Sequence, residues 1–312
     1  MRALVLSNML ADASHPERGR FVRDQVEALR KLEGLSVELY EFPPGGRGLV
    51  EAARELRRRY RGERLDVVHA HFGLTAWPAL AVRARGRALT VHGTDLRHPR
   101  TRQATRAVLP TVGLLAAVSE SLAEEIPGRH ARERAQVLPC GVDVERFKAL
   151  PHAYAWGRLN LKQQPPYLLF PADPSRQEKR YDRAKALAEA VGARLLTLGG
   201  VDPERVPLYV NAASAVIVPS EREGFGLAVL EALACDVPVL ATPVGVHPQA
   251  LEGLEGVLCA PFDLERWRTA LLPHLGTNEP RIAGRARAER FSAARMAERV
   301  AAAWGSLVAD AG

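Results

Sequence analysis

Long apolar runs, cysteines and metal-binding motifs are scarce in this chain of 312 residues. No stretch approaches the roughly 18 apolar residues that a membrane-spanning helix needs, so the sequence predicts no transmembrane segment. The 3 cysteines are odd in number and lack the spacing of metal ligands, which favours a reducing, cytoplasmic setting over a disulfide framework. An Asp-x-Asp motif is also missing, and no other cluster suits a divalent cation. We therefore predict neither a metal nor another cofactor.

Positive charge is unevenly distributed. The formal net charge is +7; residues 1–150 hold 25 Lys and Arg against 18 Asp and Glu, whereas residues 151–312 hold 18 of each. Such an excess suits an anionic acceptor, a lipid surface or nucleic acid, or it belongs to solvated helices. The run RELRRRYRGER (54–64) permits a peripheral contact with the inner face of a membrane, although its thin apolar side favours a solvated face. No recognition motif accompanies it, so we expect no nucleic-acid partner.

Short aliphatic segments alternate with helix-like segments along most of the chain. Such alternation predicts an α/β protein with parallel sheets covered by helices on both faces. Two units in series predict two Rossmann-like domains that face each other across a cleft, at residues 1–150 and 165–290, with a linker from Pro151 to Pro166. The candidate strands are ALVLS, SVELYEF, DVVHAHF, ALTVHG, LLAAVS and AQVLP in the first domain, and YLLFPAD, RLLTLGG, AVIVPS, PVLATPV and GVLCA in the second.

Unusual residues follow the predicted strands. Ligands of doubly wound sheets bind beyond the carboxyl ends of the strands, so we expect a site where these loops meet. The segments concerned are HAHFG (69–73), HGTD (92–95), PADPSRQEKR (171–180), GG (199–200) and SEREGFG (220–226).

Glu231 is a carboxylate within LAVLEALA, a helix that is apolar nearly all round. Burial of an ionised side chain is costly unless a partner compensates it. If the helix begins near Gly226, Glu231 lies about one and a half turns in and leans back toward the helix start, so it can share a ligand with Glu223. The Gly-Phe-Gly between them lets the backbone approach a phosphate. A nucleotide sugar fits this layout, and so does a purely structural pairing of Glu231 with a buried Arg or Lys; the spacing alone does not decide between them.

The segment PSEREGFGLAVLEALACDVPVLATPVG resembles the signature of the retaining glycosyltransferases of family 4, which have the GT-B fold. The shared features are two glutamates separated by seven residues, Gly-Phe-Gly after the first, and Leu-Glu-Ala around the second. Further matches are DVVHAHFG, TVHGTDL, VLPCGVDVERF and VPLYVNAASAVIVPS. The resemblance implies retaining transfer of a sugar, typically a hexose, from a UDP- or GDP-sugar to a hydroxyl of a sugar, lipid or small molecule, in glycan, glycolipid or polysaccharide biosynthesis. It also implies that a C-terminal helix at 293–308 packs back on the first domain.

The resemblance assigns roles to individual residues. It places Glu223 beside the donor sugar, His92 in contact with that sugar, and Lys179 against the diphosphate; these three are the catalytic candidates. Without the resemblance, a histidine that ends a buried strand is more often structural. The remaining donor-binding candidates are Glu231, Arg176, Gly224, Phe225, Gly226, Gly19 and Gly199.

Several positions depart from the family pattern and affect the expected phosphate contacts. The family usually has Gly-Arg a few residues before the lysine, so here Arg176 or Arg180 must serve. A Gly-Gly turn near the start of the chain is reduced to Gly19. A glycine after the second glutamate's helix is replaced by Asp236, and a later Gly-Gly reads Gly245-Val246.

A metal-independent mechanism follows from these residues. Positioned cations such as Lys179 and Arg176, together with amides at a helix start, stabilise the departing nucleoside diphosphate. Two alternatives remain open: a sugar-nucleotide 2-epimerase of similar fold, and a non-catalytic protein that binds sugar nucleotides. We interpret His69 and His71 as structural or as lining the acceptor cleft, and Asp95 as a helix cap or a ligand-orienting group.

Overall fold

The computed structural model describes residues 1–163 and 166–311. These residues form two compact units, each built on its own parallel sheet. The first unit comprises Met1–Gly141 and the chain from Ala293 onward, and the second comprises Val142–Ser292.

The described residues of the first unit form a 6-stranded sheet of parallel strands in the order β2-β1-β3-β4-β5-β6. The strands are β1 (Arg2–Ser7), β2 (Ser36–Glu41), β3 (Leu65–His71), β4 (Ala84–Val91), β5 (Leu114–Ala117) and β6 (Gln136–Val137). The helices are α1 (Arg20–Arg30), α2 (Gly46–Arg59), α3 (Ala76–Ala79), α4 (Thr94–Arg97), α5 (Pro99–Val108), α6 (Glu120–Glu124) and α7 (Arg129–Glu133), with 3₁₀ turns at Gly73–Thr75 and Leu109–Thr111. The central strands are almost entirely buried, as expected for aliphatic runs covered on both faces.

In the second unit, the described residues form a 5-stranded parallel sheet in the order β11-β10-β9-β7-β8. Its strands are β7 (Tyr167–Phe170), β8 (Arg194–Thr197), β9 (Ala215–Val218), β10 (Val239–Ala241) and β11 (Leu258–Cys259). Its helices are α8 (His152–Leu159), α9 (Tyr181–Ala190), α10 (Val206–Ala212), α11 (Leu227–Ala234), α12 (His247–Leu251), α13 (Leu264–Leu275) and α14 (Arg285–Glu289), with 3₁₀ turns at Gln177–Lys179 and Pro203–Arg205. The predicted α/β class with two parallel Rossmann-like sheets is confirmed.

The segment predicted to be a linker contains a helix instead. Helix α8 packs on α10 because Trp156 is buried and its indole N–H donates to the carbonyl oxygen of Ala212 at 2.9 Å. Asn160, in the left-handed conformation, ends the helix. Residues 164 and 165, where the predicted second domain begins, lie outside the described residues.

The last helix, α15 (Ala293–Ala309), packs on α1 and β4 of the first unit. Trp304 is fully buried there, and its indole N–H donates to Nδ1 of His69 at 3.2 Å. Leu307 lies over Gly86 and Gly113, where an added Cβ would be 2.5 and 2.6 Å from its side chain. The close approach of α15 to the sheet therefore depends on the absence of side chains at these two glycines.

We expect Trp304→Ala to lower the free energy of unfolding of the first unit by about 3–5 kcal/mol, the range for truncating a buried aromatic side chain. The matched control is Trp77→Ala, since Trp77 is 42% exposed; its cost should be about 1 kcal/mol or less. Urea denaturation followed by circular dichroism measures both. Equal losses would contradict the docking of α15 as described.

Candidate active site

The loop after β9 leads directly into α11. Gly226 precedes the first helical residue, Leu227, and takes a φ of +103°, which glycine adopts readily. Glu231 is the fifth residue of α11 and is half-buried, whereas its neighbours Leu230 and Ala232 are fully buried. The sequence predicts a deeply buried acid, whereas the structure leaves Glu231 partly exposed.

Glu223 forms a buried ion pair with Lys179. The ammonium Nζ donates to Oε1 at 2.7 Å and to Oε2 at 2.6 Å, and the hydroxyl of Ser220 donates to Oε1 at 2.8 Å. The side chains are only 8% (Glu223) and 16% (Lys179) exposed. Burial alone would raise the pKa of Glu223, but the charge of Lys179, the neighbouring His247 and these hydrogen bonds lower it below its ordinary value. Glu223 is thus a carboxylate at neutral pH.

Two loops of the second unit lock together beside this pair. A Cβ on Gly226 would lie 2.4 Å from Nε2 of His247, and a Cβ on Gly245, whose φ is +59°, would lie 2.2 Å from the carbonyl oxygen of Phe225. That oxygen accepts from the backbone N–H of Val246 at 2.7 Å. The glycines at 226 and 245 are therefore required for contact between the loops.

His247 is a buried residue of this region that the sequence reasoning missed. Its Nδ1 donates to the carbonyl oxygen of Thr242 at 2.8 Å, so the proton of the neutral ring is on Nδ1 and the bare Nε2 faces Gly226. Burial lowers the pKa of His247, while Glu223 acts in the opposite direction. The only indication in the sequence is that His247 directly follows Gly245-Val246, where the family pattern has Gly-Gly.

The cations near Lys179 have carboxylate partners of their own. The guanidinium of Arg176 is 55% exposed and donates to Glu178 at 2.7 and 3.0 Å. Arg180 has a φ of +57° and pairs with Asp182 and Glu221. In these contacts the guanidinium groups of Arg176 and Arg180 bind carboxylates and do not form a joint site with Lys179. That Arg176 or Arg180 binds the phosphates stays a prediction.

The two glycines assigned outside the α11 loop have different surroundings. Gly19, at the start of α1, has a φ of +71°, and a Cβ there would lie 2.5 Å from the carbonyl oxygen of Met9. Gly199 is exposed in the turn after β8, and a Cβ there would lie 3.3 Å from Cγ of Asp173. Only Gly19 is thus fixed as glycine by both its conformation and its packing.

Asp95 holds the loop that carries His92. Its carboxylate accepts the backbone N–H of Gly93 at 2.8 Å, of His92 at 3.1 Å and of Gly73 at 3.3 Å. Asp95 is 3% exposed, and burial raises its pKa while the amide hydrogen bonds act to lower it. These contacts give Asp95 a role other than the predicted helix cap or ligand-orienting group, because its carboxylate positions the loop that follows β4.

Three histidines of the first unit form one cluster, defined here as His69, His71 and His92. The rings of His69 and His71 stack at 4.7 Å between centroids, and Nδ1 of His71 lies 2.9 Å from Nε2 of His92. Burial lowers the pKa of His69 and of His92 to about 3 and that of His71 well below its ordinary value, with smaller effects between the rings. All three rings are therefore neutral at physiological pH. Across residues 1–163 and 166–311, no group of three side chains is arranged to hold a metal ion.

The arginine-rich segment lies on α2 and the turn after it, and its side chains at 57, 58 and 61 are exposed. Within the described residues, no helix is both long and apolar enough to span a membrane. Contact of α2 with a membrane surface stays a prediction.

We expect Lys179→Met to lower the free energy of unfolding of the second unit by about 3 kcal/mol, because it leaves the carboxylate of Glu223 buried without its cation. Adding Glu223→Gln removes the stranded charge and should recover most of that loss. Lys185→Met is the control, since Lys185 is 59% exposed and only 3.8 Å from Glu189; its effect should stay below about 1 kcal/mol. Urea denaturation without nucleotide measures all three, and equal losses at 179 and 185 would refute the buried pair.

Comparison with known proteins places the chain in a family. The model of Glycosyltransferase Family 4 matches residues 11–146, and that of Glycosyl transferases group 1 matches residues 152–280. A D-inositol 3-phosphate glycosyltransferase of Actinosynnema mirum is 29% identical over 79% of this chain and 74% of its own length. One of Pseudarthrobacter chlorophenolicus is 26% identical over 82% and 72%.

Solved structures show the same fold. Sucrose-phosphate synthase from Thermosynechococcus elongatus has a TM-score of 0.72 at 19% identity and covers 99% of both chains. HepE of Anabaena in complex with UDP and glucose has a TM-score of 0.70 at 16% identity, over 98% of this chain and 100% of its own. From the two family matches and this fold, the chain belongs to the group 1 glycosyltransferases of the GT-B fold.

Proposed function

We propose that this glycosyltransferase moves a sugar from a UDP- or GDP-sugar to a hydroxyl acceptor with retention of anomeric configuration. The observation that carries the proposal is the ionised Glu223, held by Lys179 and Ser220 beside the glycine start of α11. A buried carboxylate with a cation at the opening of a helix suits a ligand that carries both hydroxyls and phosphates.

In this proposal the donor's charged groups meet the second unit. Lys179 has three N–H donors, so it can keep its bond to Glu223 and also donate to a diphosphate oxygen. The first amides of α11 and the glycine backbone at 224 and 226 face the phosphates, while the half-buried Glu231 accepts hydrogen bonds from the ribose hydroxyls. Glu223, being ionised, acts as an acceptor for sugar hydroxyls and not as a general acid.

The chemical step needs stabilisation of the charge that develops on the leaving diphosphate. Lys179, an arginine at 176 or 180 and the α11 amides supply it in this proposal, without a metal ion. His92 is neutral and contacts the donor sugar, and the acceptor hydroxyl attacks from the face that the diphosphate leaves.

The comparisons favour a uracil nucleotide and a charged acceptor. HepE is described in complex with UDP and glucose and with UDP-glucose, and the two relatives named above are D-inositol 3-phosphate glycosyltransferases. The positive charge of residues 1–150 fits an anionic acceptor of that kind.

We expect a thermal-shift screen of UDP, GDP, ADP and their common sugar conjugates to select one base. A ligand at a hundred times its Kd stabilises the folded state by about 2.7 kcal/mol, enough for a clear rise in Tm. Glu231→Gln should weaken the selected ligand roughly tenfold or more, since it loses charged hydrogen bonds to the ribose. Glu255→Gln, at an exposed position of the same unit, is the control. Equal shifts for both variants would rule out the assigned role of Glu231.

We expect turnover to be insensitive to chelation. The measurement is release of nucleoside diphosphate from the selected donor, with and without EDTA, and with magnesium added back. Loss of release that magnesium restores would refute the metal-free mechanism. Conversion of the donor sugar without an acceptor would identify the 2-epimerase alternative, and binding without release would identify a non-catalytic binder.

A further inference from the structure

The ring of His71 has one nitrogen with a partner and one without. His71 ends β3 and is fully buried. Its Nδ1 lies 2.9 Å from Nε2 of His92, whereas its Nε2 is buried with no hydrogen-bond partner among the residues that the structure describes. Both rings are neutral, so each carries a single proton.

Only two proton arrangements satisfy the contact between these rings. In one, His92 donates from Nε2 to Nδ1 of His71, and the proton of His71 is then buried on Nε2 without an acceptor. In the other, His71 donates from Nδ1 to Nε2 of His92, and only a lone pair is left unpaired on Nε2 of His71. Buried N–H groups without an acceptor are rarer in proteins than acceptors without a donor, so the second arrangement is favoured.

We propose that His71 is a positioning residue that fixes the tautomer of His92, so that His92 presents a protonated Nδ1 to the donor sugar. The inference rests on the proposed function in one respect: it takes His92 to be the residue that meets the sugar. In this tautomer His92 donates a hydrogen bond to a sugar oxygen, and it has no free lone pair with which to take the proton of the acceptor hydroxyl.

The surrounding packing holds both rings in place. The ring of His92 lies 4.8 Å from that of Phe21 and 4.6 Å from that of Phe72. Phe72, directly after His71, has a φ of +73°, a conformation that a bulky residue keeps only where its surroundings enforce it.

The third histidine of the cluster is fixed independently. The indole of Trp304 donates to Nδ1 of His69, which leaves the proton of that neutral ring on Nε2, 2.8 Å from the hydroxyl oxygen of Thr90. His69 therefore supports His71 by stacking, while its nitrogens are engaged elsewhere.

Nitrogen-15 NMR of the histidine rings in the unliganded, full-length protein tests the proposal directly. The signals of His92 are assigned by their absence in His92→Phe. We expect Nδ1 of His92 to show the shift of a protonated nitrogen and Nε2 that of an unprotonated one. The reverse pattern overturns the proposal. Because no donor is needed, this result is independent of the proposed function.

Two variants of His71 separate positioning from packing. Asn places an amide N–H near the position of Nδ1, so His71→Asn should keep the His92 tautomer and most of the kcat for the selected donor. His71→Leu should lose the tautomer preference and about tenfold in kcat, with little change in KM, since one hydrogen bond is removed. Equal kcat losses in both variants, or an unchanged tautomer in His71→Leu, would refute the role. If no nucleotide sugar binds at all, the proposed function fails, and the tautomer of the unaltered protein still decides the inference.

Discussion

An ionised carboxylate is costly to bury, and the loops of the second unit surround one such group, Glu223. Glu223 stays charged because Lys179 and Ser220 surround it, and Lys179 comes from the loop after β7 while Glu223 comes from the loop after β9. These strands are neighbours in the sheet. The ion pair therefore ties two loops together at the carboxyl end of the sheet, where doubly wound proteins bind ligands.

In the first unit, two neighbouring loops are joined by a hydrogen bond between neutral side chains. His71 ends β3 and His92 follows β4, which are again neighbouring parallel strands. Their contact spans two loops as the Lys179–Glu223 pair does, but burial keeps both rings uncharged. The carboxyl group of Asp95 accepts hydrogen bonds from the backbone N–H groups of His92 and Gly93. The loops of the second unit are thus joined by an ion pair, and those of the first unit by a hydrogen bond between two neutral rings.

The strands could be predicted from the sequence because each is an aliphatic run buried on both faces, and a carboxyl-end site follows from the parallel arrangement. The group that each polar or aromatic side chain binds could not be predicted from the sequence. Arg176 pairs with Glu178 two residues away, and the helix around Trp156 depends on a carbonyl far along the chain. Asp236 shows why a departure from the family pattern can be benign. It adopts a φ of +56°, as the glycine that is usual there readily does. Its carboxylate accepts hydrogen bonds from the backbone N–H groups at the start of α14.

The distribution of charge gives a final constraint on the proposed reaction. Residues 151–312 carry no net formal charge, so a diphosphate bound there is balanced by a few local groups: Lys179, an arginine and the amides that open α11. The excess of seven positive charges belongs to residues 1–150. If the second unit binds the donor as proposed, the excess positive charge of residues 1–150 is available to an anionic acceptor. A negatively charged acceptor would gain association rate from that field, whereas a neutral one would gain nothing.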